Sequence, residues 1–172
     1  SGFFFNFPSF YAQDYAIQYD FFFDDPIPSN FSNGVDTVWG SEDDPQHFSA
    51  FCDFFRNESL TSCGLYRLDD KGRFDQPLIG PTRELYSFFR HHSTFVVISY
   101  DGRLAIFLDG FLMGFVEDIE QVEQQLTIFF GSGGDQSEYF RVRIDNIRFW
   151  KLDGVDIFSG TGEQTKADSD LL

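Results

Sequence analysis

Apolar residues alternate with other positions at Phe3, Phe5 and Phe7 and again at Tyr15, Ile17, Tyr19, Phe21 and Phe23. A period of two marks strands with one buried face. The same reading places further strands near residues 35–40, 47–55, 60–67, 93–100, 103–109, 111–117, 125–131 and 138–151. Pro26, Pro28, Asn30, Asn33 and Gly34 mark a long loop. Only "EDIEQVEQQ" at 117–125 has helical composition, enough for a turn or two between strands. About ten short strands separated by turn signals predict an all-β fold, a two-sheet antiparallel β-sandwich. Residues 1–159 read as one domain, and the polar stretch 160–172 as a tail.

The stretch "SYDGRLAIFLDGFLMGFVED" at 99–118 repeats Asp-Gly at 101–102 and 109–110. Asp-Gly suits the two-residue type I′ turn, whose central residues both need positive φ. The first turn sets Tyr100 opposite Arg103, Ile98 opposite Ala105, Val97 opposite Ile106 and Val96 opposite Phe107. The second sets Leu108 opposite Phe111, Ile106 opposite Met113 and Leu104 opposite Phe115. One apolar face then carries Phe95, Val97, Leu104, Ile106, Leu108, Phe111, Met113 and Phe115. The other face, with Val96, Ile98, Ala105, Phe107, Leu112 and Val116, is also apolar, so the meander is expected to be central and covered on both sides. In "YFRVRIDNIRFWKL" the apolar phase moves from Phe140, Val142 and Ile144 to Ile147 and Phe149, which predicts a β-bulge at Asp145-Asn146.

Composition adds a puzzle. Phenylalanine occupies 25 of 172 positions, partly in runs such as Phe3-Phe4-Phe5, Phe21-Phe22-Phe23 and Phe54-Phe55. Strand neighbours point to opposite faces, so these runs cannot all serve one core. Phe3, Phe4, Phe5, Phe21, Phe22 and Phe23 are therefore candidate interface residues. The charge of −16, from 28 acidic and 12 basic residues, argues against nucleic acid and anionic lipid as partners. No apolar stretch approaches the roughly 18 residues of a membrane span. The chain opens with Ser1-Gly2 and no Met, compatible with a removed leader or a cloning remnant.

Cys52 and Cys63 are symmetric about Asn57-Glu58, so a hairpin would set them face to face. A disulfide is then feasible, with free buried thiols or metal binding as the alternatives. A bridge would imply an extracellular, surface or other oxidising location. Asn30 and Asn57 both open glycosylation triplets.

The succession "DYAIQYDFFF", "CGLYRLDDKGRF", "FVVISYDGRLAIFLDGFLMGFVED", "LTIFFGS" and "RVRIDNIRFW" resembles the concanavalin A-like, laminin G-like and family 16 glucanase-like jelly rolls. The likeness covers roughly residues 14–152. It is greatest to small non-catalytic modules with a "G-x-L-x-I-x-x-x-G" hairpin and a terminal "D-N-[IV]-x-[FV]-W" strand. Such folds bind sugars, bind proteins, hydrolyse glycans or space other domains.

Catalytic relatives carry Glu-x-Asp-x-x-Glu on a concave strand. Asp118-Ile119-Glu120-Gln121-Val122-Glu123 has that spacing with the first two types exchanged, but it lies in the Gln/Glu-rich connector, where a solvated acidic segment is the simpler reading. Acidic groups at Asp24-Asp25, Glu42-Asp43-Asp44, Asp69-Asp70 and Glu117-Asp118 are candidates for calcium or simply for solubility. His91-His92 point apart on a strand and have no third ligand near. Gly131-Ser132-Gly133-Gly134 follows a strand without opening a helix and reads as a turn. For a sugar platform Trp39, beside Gly40 and the acidic run, comes first, then Tyr66 and Trp150, each weighed against core packing. The leading expectation is a non-catalytic binding module for carbohydrate or protein, using a sheet face or a loop rim. A structural subunit of a larger assembly is the second reading, and a glycoside hydrolase acting through Glu120 the third.

Overall fold

The computed structural model describes residues 2–24, 30–41, 44–55, 60–68, 74–86, 92–117, 124–131 and 141–155. Among them there is no helix, and the strands in chain order are β1 (Gly2–Ala12), β2 (Tyr15–Phe23), β3 (Asn30–Ser41), β4 (Asp44–Phe55), β5 (Leu60–Leu68), β6 (Phe74–Tyr86), β7 (His92–Tyr100), β8 (Arg103–Leu108), β9 (Phe111–Val116), β10 (Gln124–Gly131) and β11 (Val142–Lys151). A six-stranded sheet has the order β1-β10-β3-β4-β5-β6, and a five-stranded sheet the order β11-β2-β7-β8-β9. The pairings are antiparallel. The architecture is the expected sandwich. The tail beyond residue 159 lies outside the described residues.

The core forms because period-two faces from both sheets meet. β2 contributes Tyr15, Ile17, Tyr19, Phe21 and Phe23, all buried, and β7 adds Phe95 and Val97. Opposite them lie Phe31 and Val35 of β3, Ala50, Cys52 and Phe54 of β4, Cys63 and Leu65 of β5, and Leu126, Ile128 and Phe130 of β10. The rings of Phe23, Phe31, Phe54 and Phe130 surround Phe21 at centroid distances of 5.7 to 6.5 Å. Among the described residues, six of the 25 phenylalanines, Phe21, Phe23, Phe31, Phe54, Phe95 and Phe130, are thus internal, each buried ring contributing about 2 kcal/mol. Phe21 and Phe23 are core residues and not interface residues; Phe22, one position out of phase, faces outward and is half-buried.

Four local expectations are corrected. Residues 30–34 are not a loop: they open β3, laddered to β4 on one side and over 32–34 to β10 on the other. Their turn chemistry yields to pairing, and the Asn33 amide donates inside the core to Tyr19 Oη at 2.9 Å. β6, unforeseen because Pro77, Gly80 and Pro81 break its pattern, is an edge strand, where a missing N–H is tolerated. In the meander, the first hairpin has the expected register and both turns the expected positive φ at Asp101, Gly102, Asp109 and Gly110. Beyond Phe107–Leu112 the register slips, so Ile106 faces Gly114 and Leu104 faces Val116. Met113 and Gly114 are consecutive buried positions, while Phe111 and Phe115 are 42% and 46% exposed. β9 is therefore a bulged sheet edge rather than part of a doubly covered centre.

The bulge foreseen in β11 is present: the register with β2 shifts between Asp145 and Arg148, and Asn146 has φ +50°. Val142 and Ile144 before it and Phe149 after it all pack on the core. Arg143, Asp145, Arg148 and Trp150 lie on the outer side.

Candidate functional site

The outer face of the six-stranded sheet holds the best-formed polar and aromatic cluster. Its position follows from one inward pair: Cys52 lies directly opposite Cys63 in the β4–β5 ladder, and the two are joined by a disulfide in the core. Their neighbours in sequence must then point outward in matched rows. One row is Ser32, Asp53 and Ser62; the next is Gly34, Phe51 and Gly64; Ser49 and Tyr66 form a third. Glycine on both sides of Phe51 leaves its ring without a competing Cβ on either adjacent strand. The Phe51 and Tyr66 rings pack at 5.1 Å, with Phe51 buried and Tyr66 half-buried.

Polar groups border these rings. The Ser32 hydroxyl donates to Asp53 Oδ1. Burial pushes the Asp53 carboxyl above the usual carboxylate range, and the Ser32 hydrogen bond only partly offsets it. Ser49 Oγ is buried and has no hydrogen-bond partner among the described residues. The half-buried Tyr66 ring, Asp53 and Ser32 can meet a polyhydroxylated ligand, with Phe51 and Ser49, 4% and 1% exposed, packed beneath them.

The three residues expected at a sugar platform do not converge. Tyr66 is in the cluster. Trp39 lies further along β3, opposite Gln46. Trp150 is on β11 in the other sheet, 41% exposed. Phe51, Asp53, Ser32 and Ser49 were not singled out from sequence, although Cys52–Cys63 symmetry already implies the rows Phe51–Gly64 and Asp53–Ser62. Phe3, Phe4 and Phe5 lie in β1 opposite Phe130, Phe129 and Ile128. Asn57, His91, Asp118 and Glu120 lie outside the described residues.

The loop rim was the alternative location. At one end of the sandwich Asp14, Tyr100, Asp101, Gly154 and Val155 line an open depression of about 320 Å3. Its groups are largely engaged in closing that end. Asp14 Oδ1 accepts from the Asp101 amide at 3.0 Å, Asp153 Oδ1 accepts from the Asp14 amide at 2.8 Å, and Tyr100 Oη donates to the Val155 carbonyl. Among the described residues no three His, Cys, Asp or Glu side chains are grouped to hold a metal ion, so the calcium expectation acquires no site there.

No protein-family model matches the chain, and no curated protein does. Solved structures match it in fold. The carbohydrate binding module CBM66 from Bacillus subtilis is 12% identical with a TM-score of 0.52, covering 82% of this chain and 77% of its own. A β-glucanase from Bacillus licheniformis is 10% identical, TM-score 0.54, over 83% and 68% of the two chains. A homodimeric agglutinin from chicken liver is 9% identical, TM-score 0.52, over 87% and 100%. Binding proteins and an enzyme share this architecture.

Proposed function

We propose that this concanavalin A-like jelly roll is a non-catalytic carbohydrate-binding module whose ligand lies on the outer face of β3, β4 and β5. The observation that carries the reading is the convergence of the half-buried Tyr66, Asp53 and Ser32 on one face, over Phe51 and a Ser49 hydroxyl that has no hydrogen-bond partner among the described residues. A solved structure named as a carbohydrate binding module shares the fold and supports the ligand class. Hydrolysis of a glycosidic bond takes two carboxyl groups flanking the bond. The rows of this face continue to Asp36 opposite Ser49 and Glu84 opposite Ser62, so glycan cleavage is the second reading and is tested by the search for product. The Cys52–Cys63 disulfide supports an extracellular or luminal setting. Among the described residues no helix is long and apolar enough to cross a membrane.

The test is a neutral-glycan array followed by calorimetry on the best binder. Tyr66→Ala and Asp53→Asn should each weaken binding about tenfold, the scale of one lost stacking or charge-assisted contact, with far-UV circular dichroism unchanged. Binding indifferent to both substitutions, or an array without any binder, would remove the site. Product release from the bound glycan would convert the module into an enzyme.

A further inference from the structure

The opposite surface of the sandwich carries a different chemistry. The strands of the five-stranded sheet contain Arg103, Arg143, Arg148 and Lys151 against Asp20 and Asp145, a net of +2 on a chain of −16. Arg103 is paired with Glu117 at 3.5 Å and Lys151 with Asp153 at 2.9 Å. Arg143 and Arg148 are exposed, and no described carboxylate oxygen lies within 4.0 Å of either guanidinium. Asp20, the acidic group buried beneath them, is engaged by Thr94 Oγ1 and Asn146 Nδ2, each at 2.6 Å. Arg148 acts on Asp20 electrostatically and Asp145 lies between the two arginines, but both guanidinium groups keep their hydrogen-bond donors clear of carboxylate contact among the described residues.

Arg143 is held in place. Arg143 lies over the Phe22 ring at 4.4 Å, and His92 stacks on Phe22 at 4.3 Å. The bulge at Asn146 then brings Arg148 and Trp150 to the same outer side as Arg143. Trp150 is 41% exposed and lies opposite the small Ala16. Arg143 and Trp150 pair with Phe22 and Ala16, so the row extends about 20 Å at ~3.3 Å per residue.

We propose that the outer surface of β11 and β2 binds an anionic polysaccharide laid along the strand, with Trp150 stacked on a sugar ring and Arg143 and Arg148 pairing with its carboxylate or sulfate groups. Guanidinium forks match both anions in a bidentate manner. The length of the row calls for an oligomer rather than a monosaccharide. An indole flanked by a methyl side chain supplies the flat apolar surface that a sugar ring uses and an acidic peptide does not need. The acidic remainder of the molecule repels a polyanion at long range, so binding is local and salt-sensitive, within a Debye length of about 8 Å at physiological ionic strength.

The experiment is calorimetry on the full chain with polygalacturonate and with dextran sulfate, beside neutral dextran and poly-L-glutamate, at low and physiological salt. At least one anionic glycan should bind and dextran should not. Polygalacturonate alone would assign carboxylate, and dextran sulfate alone sulfate. Arg148→Glu and Trp150→Ala should each weaken binding at least about tenfold, and an indole emission change should vanish in Trp150→Phe. Tyr66→Ala and Asp53→Asn should leave this binding intact, which separates it from the site on the other sheet. Absence of binding to both anionic glycans overturns the proposal, as does binding unaffected by Arg148→Glu and Trp150→Ala. Poly-L-glutamate bound as tightly as the glycans overturns it in favour of an acidic protein partner.

Discussion

Two aspartates that burial pushes the same way end with shifts of opposite sign. Desolvation raises the Asp20 carboxyl, but hydrogen bonds from Thr94 and Asn146, with the positive charge of His92 and Arg148, outweigh it and hold the group below its ordinary 3.8. Its contribution to stability is therefore present above 3.8 and lost as pH falls through the depressed folded value. Asp20→Asn should cost about 2 kcal/mol in urea unfolding at pH 7, and the gap between the two proteins should narrow in acid below 3.8. Asp53 has the opposite sign. Its raised folded value makes ionisation a cost, so its favourable contribution exists below the ordinary value and is lost as pH rises through the folded one. Asp53→Asn should be at least as stable as the parent at pH 7 while binding less glycan, the pattern of a residue kept for its ligand. Neither environment was visible in the sequence, because Asp20 meets Asn146 across 126 positions and Asp53 meets Ser32 across 21.

At the scale of elements, four strand pairs carry register shifts, β1–β10, β5–β6, β8–β9 and β11–β2, and only the one in β11 was foreseen. In β11 the apolar phase visibly changes between Ile144 and Ile147, so a bulge is the simplest way to keep Val142, Ile144 and Phe149 all on the core. In β9, "FLMGFV", five of six residues are large and apolar, and a pattern without polar positions does not specify phase. Burial of Met113 with Gly114 settled it. Asn146 holds the β11 bulge twice, by tolerating φ +50° and by donating to Asp20. Asn146→Gly keeps the backbone freedom and loses the hydrogen bond, whereas Asn146→Ala loses both. Denaturant midpoints should fall in the order parent, Gly, Ala, with about 1 kcal/mol for the left-handed strain in the last step.

For the whole molecule the governing asymmetry is charge. A net of −16 destabilises the compact state by self-repulsion, while the outer row of β11 and β2 sets Arg143 and Arg148 against Asp20 and Asp145 and is locally neutral. Salt should act on the two in opposite senses. Raising ionic strength from about 10 mM to about 150 mM shortens the Debye length from roughly 30 Å to 8 Å, so the thermal midpoint should rise. Affinity for an anionic glycan should fall over the same range. A melting curve that is flat or falling with salt would show that the acidic groups are locally compensated.

The sequence by itself determined the period-two strands, both Asp-Gly turns, the β11 bulge and the feasibility of the Cys52–Cys63 pair. Each depends on sterics or side-chain direction over a few adjacent residues. Only the tertiary structure decided that β6 is an edge, that Asn30–Gly34 belong to a strand, that Phe21 and Phe23 point inward, and that Tyr66 and Trp150 lie on opposite faces. These outcomes depend on which strands become neighbours. That choice is made by burial summed over the whole core, to which Phe31, Phe54 and Phe130 contribute from distant parts of the chain.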